Sequence, residues 1–250
     1  MKRALLSCLL FAAVPSAALE FEWGDGSKGA TPQSKAESSV PRLIDAGDAP
    51  TAYSLSKYEM RADIRFYPGG GILNKLNLGV FPRFFIGGGL NVPGLVNAGP
   101  VTLVREDVSL LARLVAVAED DSWPAIAIGW DGPAFNGAEL RGLYLSASKE
   151  FGTPLGYFQL HGAANSAFFE NGWQADKHLR GSGALTFSIR QLTAFGEADE
   201  LGSPAGPRYS AGARFYFEPV SLGVEFRDLG ATRAGLMSSR MLRVSYSGLF

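Results

Sequence analysis

The sequence has little charge and almost no cysteine. Charged residues occupy 19% of its 250 positions, and 23 Lys and Arg stand against 24 Asp and Glu, which gives a formal net charge of −1. A chain without a basic excess lacks the surface that nucleic acids require. Cys8 is the only cysteine, so disulfides within the chain are excluded.

Glycine and aromatic residues are abundant instead. The chain has 31 glycines, and aromatic residues make up 12% of it. Such a composition suits β-strands and tight turns better than helices. An all-β protein is therefore expected.

The first eighteen residues have the features of a secretory signal peptide. Lys2 and Arg3 precede an apolar run from Ala4 to Val14, and Ser16-Ala17-Ala18 offers the small residues that signal peptidase cleaves after. The apolar run is too short to span a bilayer. We predict cleavage after Ala18, which leaves a mature chain without cysteine and excludes thiol catalysis.

Residues 19–50 form a polar stretch rich in Gly, Ser and Pro with little periodicity. This composition favours a flexible periplasmic lead-in to the part that folds. The barrel described next is predicted to occupy residues 51–250.

A period of two begins at Tyr58. Over 58–66, apolar side chains alternate with charged ones, so that one face of the strand is apolar and the other is charged. Similar segments recur down to the C terminus. Twelve strands are predicted, at 58–66, 72–81, 84–93, 108–118, 124–131, 142–151, 157–168, 179–190, 192–200, 208–217, 220–228 and 241–250.

The predicted connections alternate between short turns and long loops. Only the turn at 68–71 departs from this rule by being brief on the long-loop side. Short turns on one side, long loops on the other and both termini on the short-turn side are typical of a transmembrane antiparallel up-and-down barrel with periplasmic termini. The long loops are predicted at 94–107, 132–141, 169–178, 201–207 and 229–240.

The last strand ends on an aromatic residue. Counting back by twos from Phe250 gives Gly248, Tyr246, Val244 and Leu242. This ending resembles the C-terminal signal that the barrel-assembly machinery reads in outer-membrane proteins, although Gly248 is smaller than is usual. It predicts insertion into the outer membrane of a Gram-negative envelope.

Charges on the strands are expected to face the lumen, because a charge facing lipid is costly. Basic groups are in excess, which leaves two interpretations open: ion pairs that fill the barrel, or a narrow conduit that favours anions. Eight strands give a filled barrel and sixteen a channel, so a count of twelve does not decide. The predicted lumen-lining residues are Glu59, Arg61, Asp63, Arg65, Lys75, Arg113, Arg180, Arg190, Arg214, Glu225, Arg227 and Arg243, with Asp131, Glu150 and Glu197.

Several short motifs lie within residues 43–152. They include Leu43-Ile44-Asp45, Arg65-Phe66-Tyr67 and the run from Leu78 to Arg83. In these motifs the chain resembles the YjbH-type barrels associated with exopolysaccharide secretion. The resemblance implies an outer-membrane barrel with a role in polysaccharide export, although the additional domains of longer members are missing.

Catalytic and metal-binding patterns are sparse. The sequence has two histidines, and only His161 has a serine and an amide nearby, at Ser166 and Asn165. Such a set would be needed for an outer-membrane lipid hydrolase, but a hydrogen-bonded lumen histidine is the simpler interpretation. We expect no enzyme activity, no cofactor and no metal.

These observations leave three functional hypotheses. The first is a narrow outer-membrane channel, or an accessory to envelope or polysaccharide export, that passes a small anionic solute or polysaccharide. The second is a non-conducting structural or adhesion barrel that acts through its extracellular loops. The third is the lipid hydrolase built on His161.

Overall fold

The computed structural model describes residues 42–96, 108–132, 141–166, 179–204, 206–230 and 239–250. None of these residues forms a helix long and apolar enough to cross a membrane. The twelve strands are β1 (Glu59–Tyr67), β2 (Gly71–Phe81), β3 (Phe84–Val92), β4 (Val108–Val117), β5 (Ala125–Asp131), β6 (Gly142–Thr153), β7 (Gly156–Ser166), β8 (Arg180–Ile189), β9 (Leu192–Leu201), β10 (Arg208–Phe217), β11 (Val220–Arg227) and β12 (Ser239–Leu249).

The strands close into a barrel. Each pairs antiparallel with the next along the chain, and β1 pairs with β12 from Glu59↔Leu249 to Phe66↔Leu242. The predicted all-β fold, an antiparallel up-and-down barrel of twelve strands, is confirmed. The predicted strand ends all lie within about two residues of the observed ones, because a period of two locates strands reliably.

The two faces of the strands differ as predicted. In β11, the even-numbered residues from Val220 to Phe226 are 36–49% exposed, whereas Ser221, Glu225 and Arg227 are buried in the lumen. Leu145, Leu160 and other large apolar side chains are likewise exposed on neighbouring strands. The outside of the barrel is therefore an apolar surface that suits lipid rather than water.

Aromatic side chains lie beside the short turns. Phe81, Trp123 and Phe217 are 53–63% exposed. The rings of Phe81 and Phe84 stack across the β2–β3 turn with their centroids 6.3 Å apart. This arrangement is typical of the aromatic belt of membrane barrels, where amphipathic rings favour the headgroup level.

The segment before β1 differs from the prediction. Residues 42–57, which we call the lumen hairpin, fold back inside the barrel, and every residue from Leu43 to Tyr53 is buried. The part of the predicted lead-in at 42–50 is therefore not a flexible periplasmic segment. The composition was misleading because it was taken over the whole of 19–50, whereas the end of this stretch includes the buried apolar residues Leu43, Ile44 and Ala46.

Main-chain hydrogen bonds shape the lumen hairpin. Asp45 and Pro50 form an antiparallel bridge. The N–H of Ala46 donates to the carbonyl oxygen of Ala49 at 3.0 Å, and that of Thr51 donates to Ile44 at 3.2 Å. The turn of the hairpin therefore lies at Gly47 and Asp48.

The hairpin joins the barrel wall at Gly79 on β2. The N–H of Tyr58 donates to the Gly79 carbonyl oxygen at 2.8 Å. A Cβ on Gly79 would lie 1.9 Å from the carbonyl oxygen of Ser56. Because no side chain fits there, glycine at this position lets the chain pass from the lumen into β1.

Several predicted segments lie outside the described residues. They are the signal peptide, residues 19–41 of the lead-in, and most of each predicted long loop except 201–207. The same holds for His178. The placement of the termini on the periplasmic side remains a prediction.

The apolar outer face generates the first testable prediction. Leu185, 46% exposed at the middle of β8, should face the lipid core. We expect Leu185→Arg to destabilise the membrane-embedded barrel by about 2–4 kcal/mol, and Leu192→Arg, at the first residue of β9, by at most about 1 kcal/mol. Denaturant titration in lipid vesicles, followed by the gel mobility of unheated samples, measures both. Equal effects of the two substitutions would contradict a lipid-facing outer surface.

Candidate functional site: a lumen occupied by the N-terminal hairpin

Most of the predicted lumen-lining residues do line the lumen. The structure buries ten of the twelve, each less than 9% exposed, on the inner face of the strands. They are Arg61, Asp63, Arg65, Lys75, Arg113, Arg180, Arg214, Glu225, Arg227 and Arg243.

The other two are less deeply buried, and of these only Arg190 points away, because Glu59 shares the lumen face of β1 with Arg61 and Asp63. Arg190 is exposed in the β8–β9 turn with a φ of +49°. Arg190 is in the same period-two register as Arg180 and was therefore expected to point inward. However, β8 ends at Ile189, and the turn directs Arg190 away from the lumen. Glu59 is half-buried at the start of β1, where its carboxylate accepts the N–H of Ser56 at 2.9 Å.

Asp48 lies at the turn of the lumen hairpin between two wall arginines. Arg65 Nη1 is 2.7 Å from its Oδ1, and Arg227 Nη2 pairs with its Oδ2. Burial alone would raise the pKa of Asp48, but the charges of Arg227 and Arg65 outweigh burial and hold that pKa below its ordinary value. Asp48 is therefore ionised at neutral pH, as part of a charged cluster closed off from solvent.

Asp45 forms a second cluster on the same hairpin. Arg113 Nη2 lies 2.9 Å from its Oδ1, and Lys75 Nζ lies 4.0 Å from its Oδ2. Burial opposes ionisation here as well, but Lys75 and Arg113 keep the pKa of Asp45 below its ordinary value. Each acidic residue of the hairpin is thus held by two cations of the wall.

Arginines also bind the main chain of the hairpin. Arg65 donates to the carbonyl oxygen of Gly47 at 2.7 Å, and Arg113 to that of Ile44 at 2.5 Å. Arg141 and Arg214 donate to the carbonyl oxygens of Asp48 and Ala46. Buried guanidinium groups need acceptors, and the hairpin supplies them.

Glu197 on β9 holds the turn from the opposite wall. Its carboxylate accepts the N–H groups of Gly47, Asp48 and Ala49 at 2.9–3.0 Å. A Cβ on Gly47 would lie 2.5 Å from Glu197 Oε1. Glycine at 47 therefore allows the turn to seat closely against this carboxylate.

Hydroxyl groups of β6 also contact the hairpin. Ser148 Oγ accepts the N–H of Ala52 at 2.7 Å, and Ser146 Oγ donates to the carbonyl oxygen of Thr51 at 3.0 Å. The hairpin is consequently bound by hydroxyl and carboxylate groups of β6 and β9 as well as by cations of the wall.

His161 lies beneath the hairpin rather than in a hydrolase constellation. Its Nδ1 is 2.8 Å from Ser148 Oγ, and its ring meets the ring of Tyr53 edge-on at 5.8 Å. Asn165 donates to the carbonyl oxygen of Arg141 at 3.1 Å, and Ser166 alternates to the other strand face. The structure thus brings His161 to Ser148 and does not group it with Ser166 and Asn165.

The wall also pairs its own charges. Arg243 Nε is 2.9 Å from Asp63 Oδ1, and Arg243 Nη1 is 3.3 Å from Glu225 Oε1. Glu225 is also 3.4 Å from Arg214 and 3.6 Å from Arg65. Ion pairs therefore fill this part of the lumen, as the first interpretation predicts, and cations exceed the wall carboxylates around Glu225.

Arg141 is the main functional residue that sequence reasoning missed. It was assigned to the long loop 132–141, yet it is buried and pairs with Asp199 at 2.7 Å. The lumen hairpin was missed as well. Its local mark is a short run of apolar and acidic residues from Leu43 to Asp48 within an otherwise polar stretch, which has no regular alternation.

A cavity of about 310 Å³ remains between the hairpin and the wall formed by β10, β11, β12 and β1. It lies at the short-turn end, where Pro219 and Ser247 line it together with Leu43 of the hairpin. Deeper inside, Asp63, Arg214 and Arg243 line it. The hairpin thus leaves part of the lumen open at this end.

Two further predictions concern sites outside the hairpin. Within the described ranges, no three His, Cys, Asp or Glu side chains come together as a metal site would require. Leu242 and Tyr246 are exposed on the outer face of β12, and Phe250 is 60% exposed. Recognition of this ending by the assembly machinery remains a prediction.

Comparison with known proteins gives only structural neighbours. No protein-family model and no curated relative matches the chain. The KdgM porin is similar with a TM-score of 0.49 and 12% identity, covering 75% of this chain and 98% of its own. The same porin in complex with disordered oligogalacturonate gives 0.48 and 11% over 75% and 98%. Acinetobacter baumannii Omp33 gives 0.44 and 6% over 78% and 98%.

The contact between Gly47 and Glu197 generates the second prediction. We expect Gly47→Ala to loosen the hairpin because its methyl group has no room beside the carboxylate. Gly196→Ala on β9, with no atom within 4 Å of the new Cβ, is the matched control. The readout is maleimide labelling of Ala49→Cys, buried at 1%, in a Cys8→Ser background. Labelling should be at least about tenfold faster with Gly47→Ala, a weakening of about 1.4 kcal/mol. Equal rates would show that Glu197 does not hold the turn.

The lowered pKa values of Asp45 and Asp48 generate the third prediction. A depressed carboxyl pKa adds stability that is present above the ordinary value of 3.8 and is lost as pH falls below it. The melting temperature of the wild-type barrel should therefore exceed that of Asp45→Asn/Asp48→Asn at pH 7, and the gap should close in acid. A gap that stays constant from pH 7 to pH 2 would contradict ionised hairpin carboxylates.

Proposed function

We propose that this protein is an outer-membrane channel that favours anions and is closed by its own N-terminal hairpin. The observation that carries the proposal is the pairing of Asp45 and Asp48 of the hairpin with cations of the barrel wall. A segment held in the lumen by such contacts blocks the path that its departure would open.

The apolar outer face supports the membrane location. A closed barrel with polar and charged groups inside and apolar groups outside satisfies its backbone and avoids contact between charge and lipid. The predicted signal peptide and the C-terminal pattern ending in Phe250 support export and insertion into the outer membrane. Both belong to the proposal.

The distribution of charge supports anion preference. Arg214, Arg227, Arg65, Lys75 and Arg113 lie on strands that are neighbours or near neighbours around the barrel, from β10 through β12 and β1 to β4. A narrow path lined by one sign of charge concentrates ions of the other sign. With the hairpin displaced, this basic arc would line the path.

A role as an accessory to polysaccharide export is the finer part of the proposal. It rests on the resemblance of residues 43–152 to YjbH-type barrels. Several of the matching residues, among them Asp45, Thr51 and Arg65, form contacts between the hairpin and the barrel wall. On this proposal, the residues that resemble YjbH-type barrels include those that hold the hairpin in the lumen.

The occupied lumen also favours a second candidate, a structural or adhesion barrel that never conducts. In that case the hairpin is a permanent core, and function lies in loops 94–107 and 229–240. The experiment below separates the two, because a permanent core gives no conductance when its contacts are weakened without unfolding the barrel.

Planar-bilayer recording of the full chain tests the channel. The wild type should conduct rarely, whereas Asp45→Asn/Asp48→Asn should be open at least about tenfold more of the time, since charged hydrogen bonds each contribute about 1.5–3 kcal/mol. Reversal potentials in a salt gradient should show anion preference. Asp121→Asn, which removes an exposed carboxylate from the β4–β5 turn, should match the wild type.

A cysteine lock provides the complementary test. Ala46 of the hairpin and Ala184 of β8 pack in one buried cluster, so Ala46→Cys/Ala184→Cys is expected to cross-link them in a Cys8→Ser background. Added to the double Asn variant, the oxidised lock should silence conductance and a reductant should restore it. Silence of the unlocked double variant, in a barrel that still shows folded gel mobility, would overturn the channel proposal.

A further inference from the structure

The cations that bind the lumen hairpin belong to a rigid wall. Arg65 and Arg243 stand directly opposite each other in the β1–β12 ladder, and Asp63 stands opposite Lys75 in the β1–β2 ladder. Strand register therefore sets the spacing of these groups, whatever occupies the lumen. Two like charges directly opposite each other repel, and Glu225, 3.6 Å from Arg65 and 3.3 Å from Arg243, offsets part of this repulsion.

Arg113 is also held by neutral groups of the wall. Its Nε donates to the Tyr144 hydroxyl at 2.7 Å, and its guanidinium lies 5.0 Å from the centre of the Phe85 ring. Among the described residues, its carboxylate partner is Asp45 alone. A guanidinium held by neutral wall groups but neutralised only by the hairpin is a preformed anion site.

Asp45 and Asp48 divide the arc into two stations. The first station is Lys75 with Arg113, and the second is Arg65 with Arg227. Each station places two cations around one carboxylate. Asp45 lies in the bridge to Pro50 that flanks the turn, and Asp48 lies in the turn, three residues further on. The hairpin thus presents to the wall the two anionic groups of a single compact ligand.

We infer that the hairpin carboxylates stand where a dianion binds, so that the lumen holds a two-point site for solutes carrying two carboxylate groups. Such solutes and the hairpin compete for the same four cations. The guanidinium fork matches the geometry of a carboxylate and binds it in two places at once. The inference that such solutes permeate the barrel rests on the proposed channel, whereas the inference that they bind in the lumen does not.

Competition with a tethered hairpin makes the site hard to see in the wild type. The tether gives the hairpin a high effective concentration, and Glu197 adds three main-chain hydrogen bonds to its turn. Removing only the two carboxylates leaves the main-chain contacts of the hairpin in place and takes one anionic partner from each station. Asp45→Ala/Asp48→Ala is therefore the variant in which an added anion should replace what was lost.

The experiment measures the melting temperature of the barrel in detergent while anions are added at fixed ionic strength. In the double Ala variant, succinate or glutarate should restore stability at a concentration at least about tenfold below that required by acetate, because the second group binds intramolecularly. The wild type and Asp121→Ala should respond weakly and alike. If the double Ala variant does not fold, Asp45→Asn/Asp48→Asn takes its place.

Three results would overturn the dianion site. Equal effects of acetate and dicarboxylates on the variant would indicate screening only. Equal effects of dicarboxylates on the variant and the wild type would place binding elsewhere. Survival of the dicarboxylate preference when Arg113→Gln is added would show that the first station takes no part.

The outcomes also separate this site from the channel. Dicarboxylate rescue with no conductance in any variant supports the site and overturns the channel. Conductance without dicarboxylate preference in the melting experiment supports the channel and overturns the site. Block of the conducting Asn variant by succinate, at concentrations where acetate has no effect, supports both.

Discussion

The structure depends on the neutralisation of arginine side chains inside the barrel, because a lipid-facing outer surface cannot accommodate them. Lipid-facing positions must be apolar, so the charges of β1, β2, β4, β10 and β11 turn inward, as does Arg243 of β12, whereas Arg240 beside the start of β12 is exposed. Buried guanidinium groups are costly unless each finds an acceptor. The wall carboxylates Glu225 and Asp63 serve part of this need, and the hairpin serves the rest.

This requirement explains why the hairpin is bound through both its side chains and its main chain. Asp45 and Asp48 supply charge, while the carbonyl oxygens of Ile44, Ala46 and Gly47 supply further acceptors. The N–H groups left over at the turn are taken by Glu197. The hairpin is thus matched to the lumen group by group, as a ligand is matched to its site, and its release would remove part of the negative charge that neutralises the basic arc.

Alternation allowed the wall to be predicted from the sequence, but not its contents. Arg65, Arg113 and Arg227 were placed in the lumen correctly because each lies on the charged face of a period-two segment. Arg190 was misplaced because alternation carries no information about where a strand gives way to its turn. Arg141 was missed because it precedes β6 and belongs to no alternating face.

The sequence by itself determined twelve strands, their inner and outer faces and their antiparallel order, since lipid on one side and a polar lumen on the other impose a local period of two. Only the tertiary structure decided what lies between the walls. The contacts of Asp45 with Arg113 and of Glu197 with Gly47 join residues 68 and 150 positions apart. No local pattern encodes such contacts, because closure of the barrel is what brings these residues together.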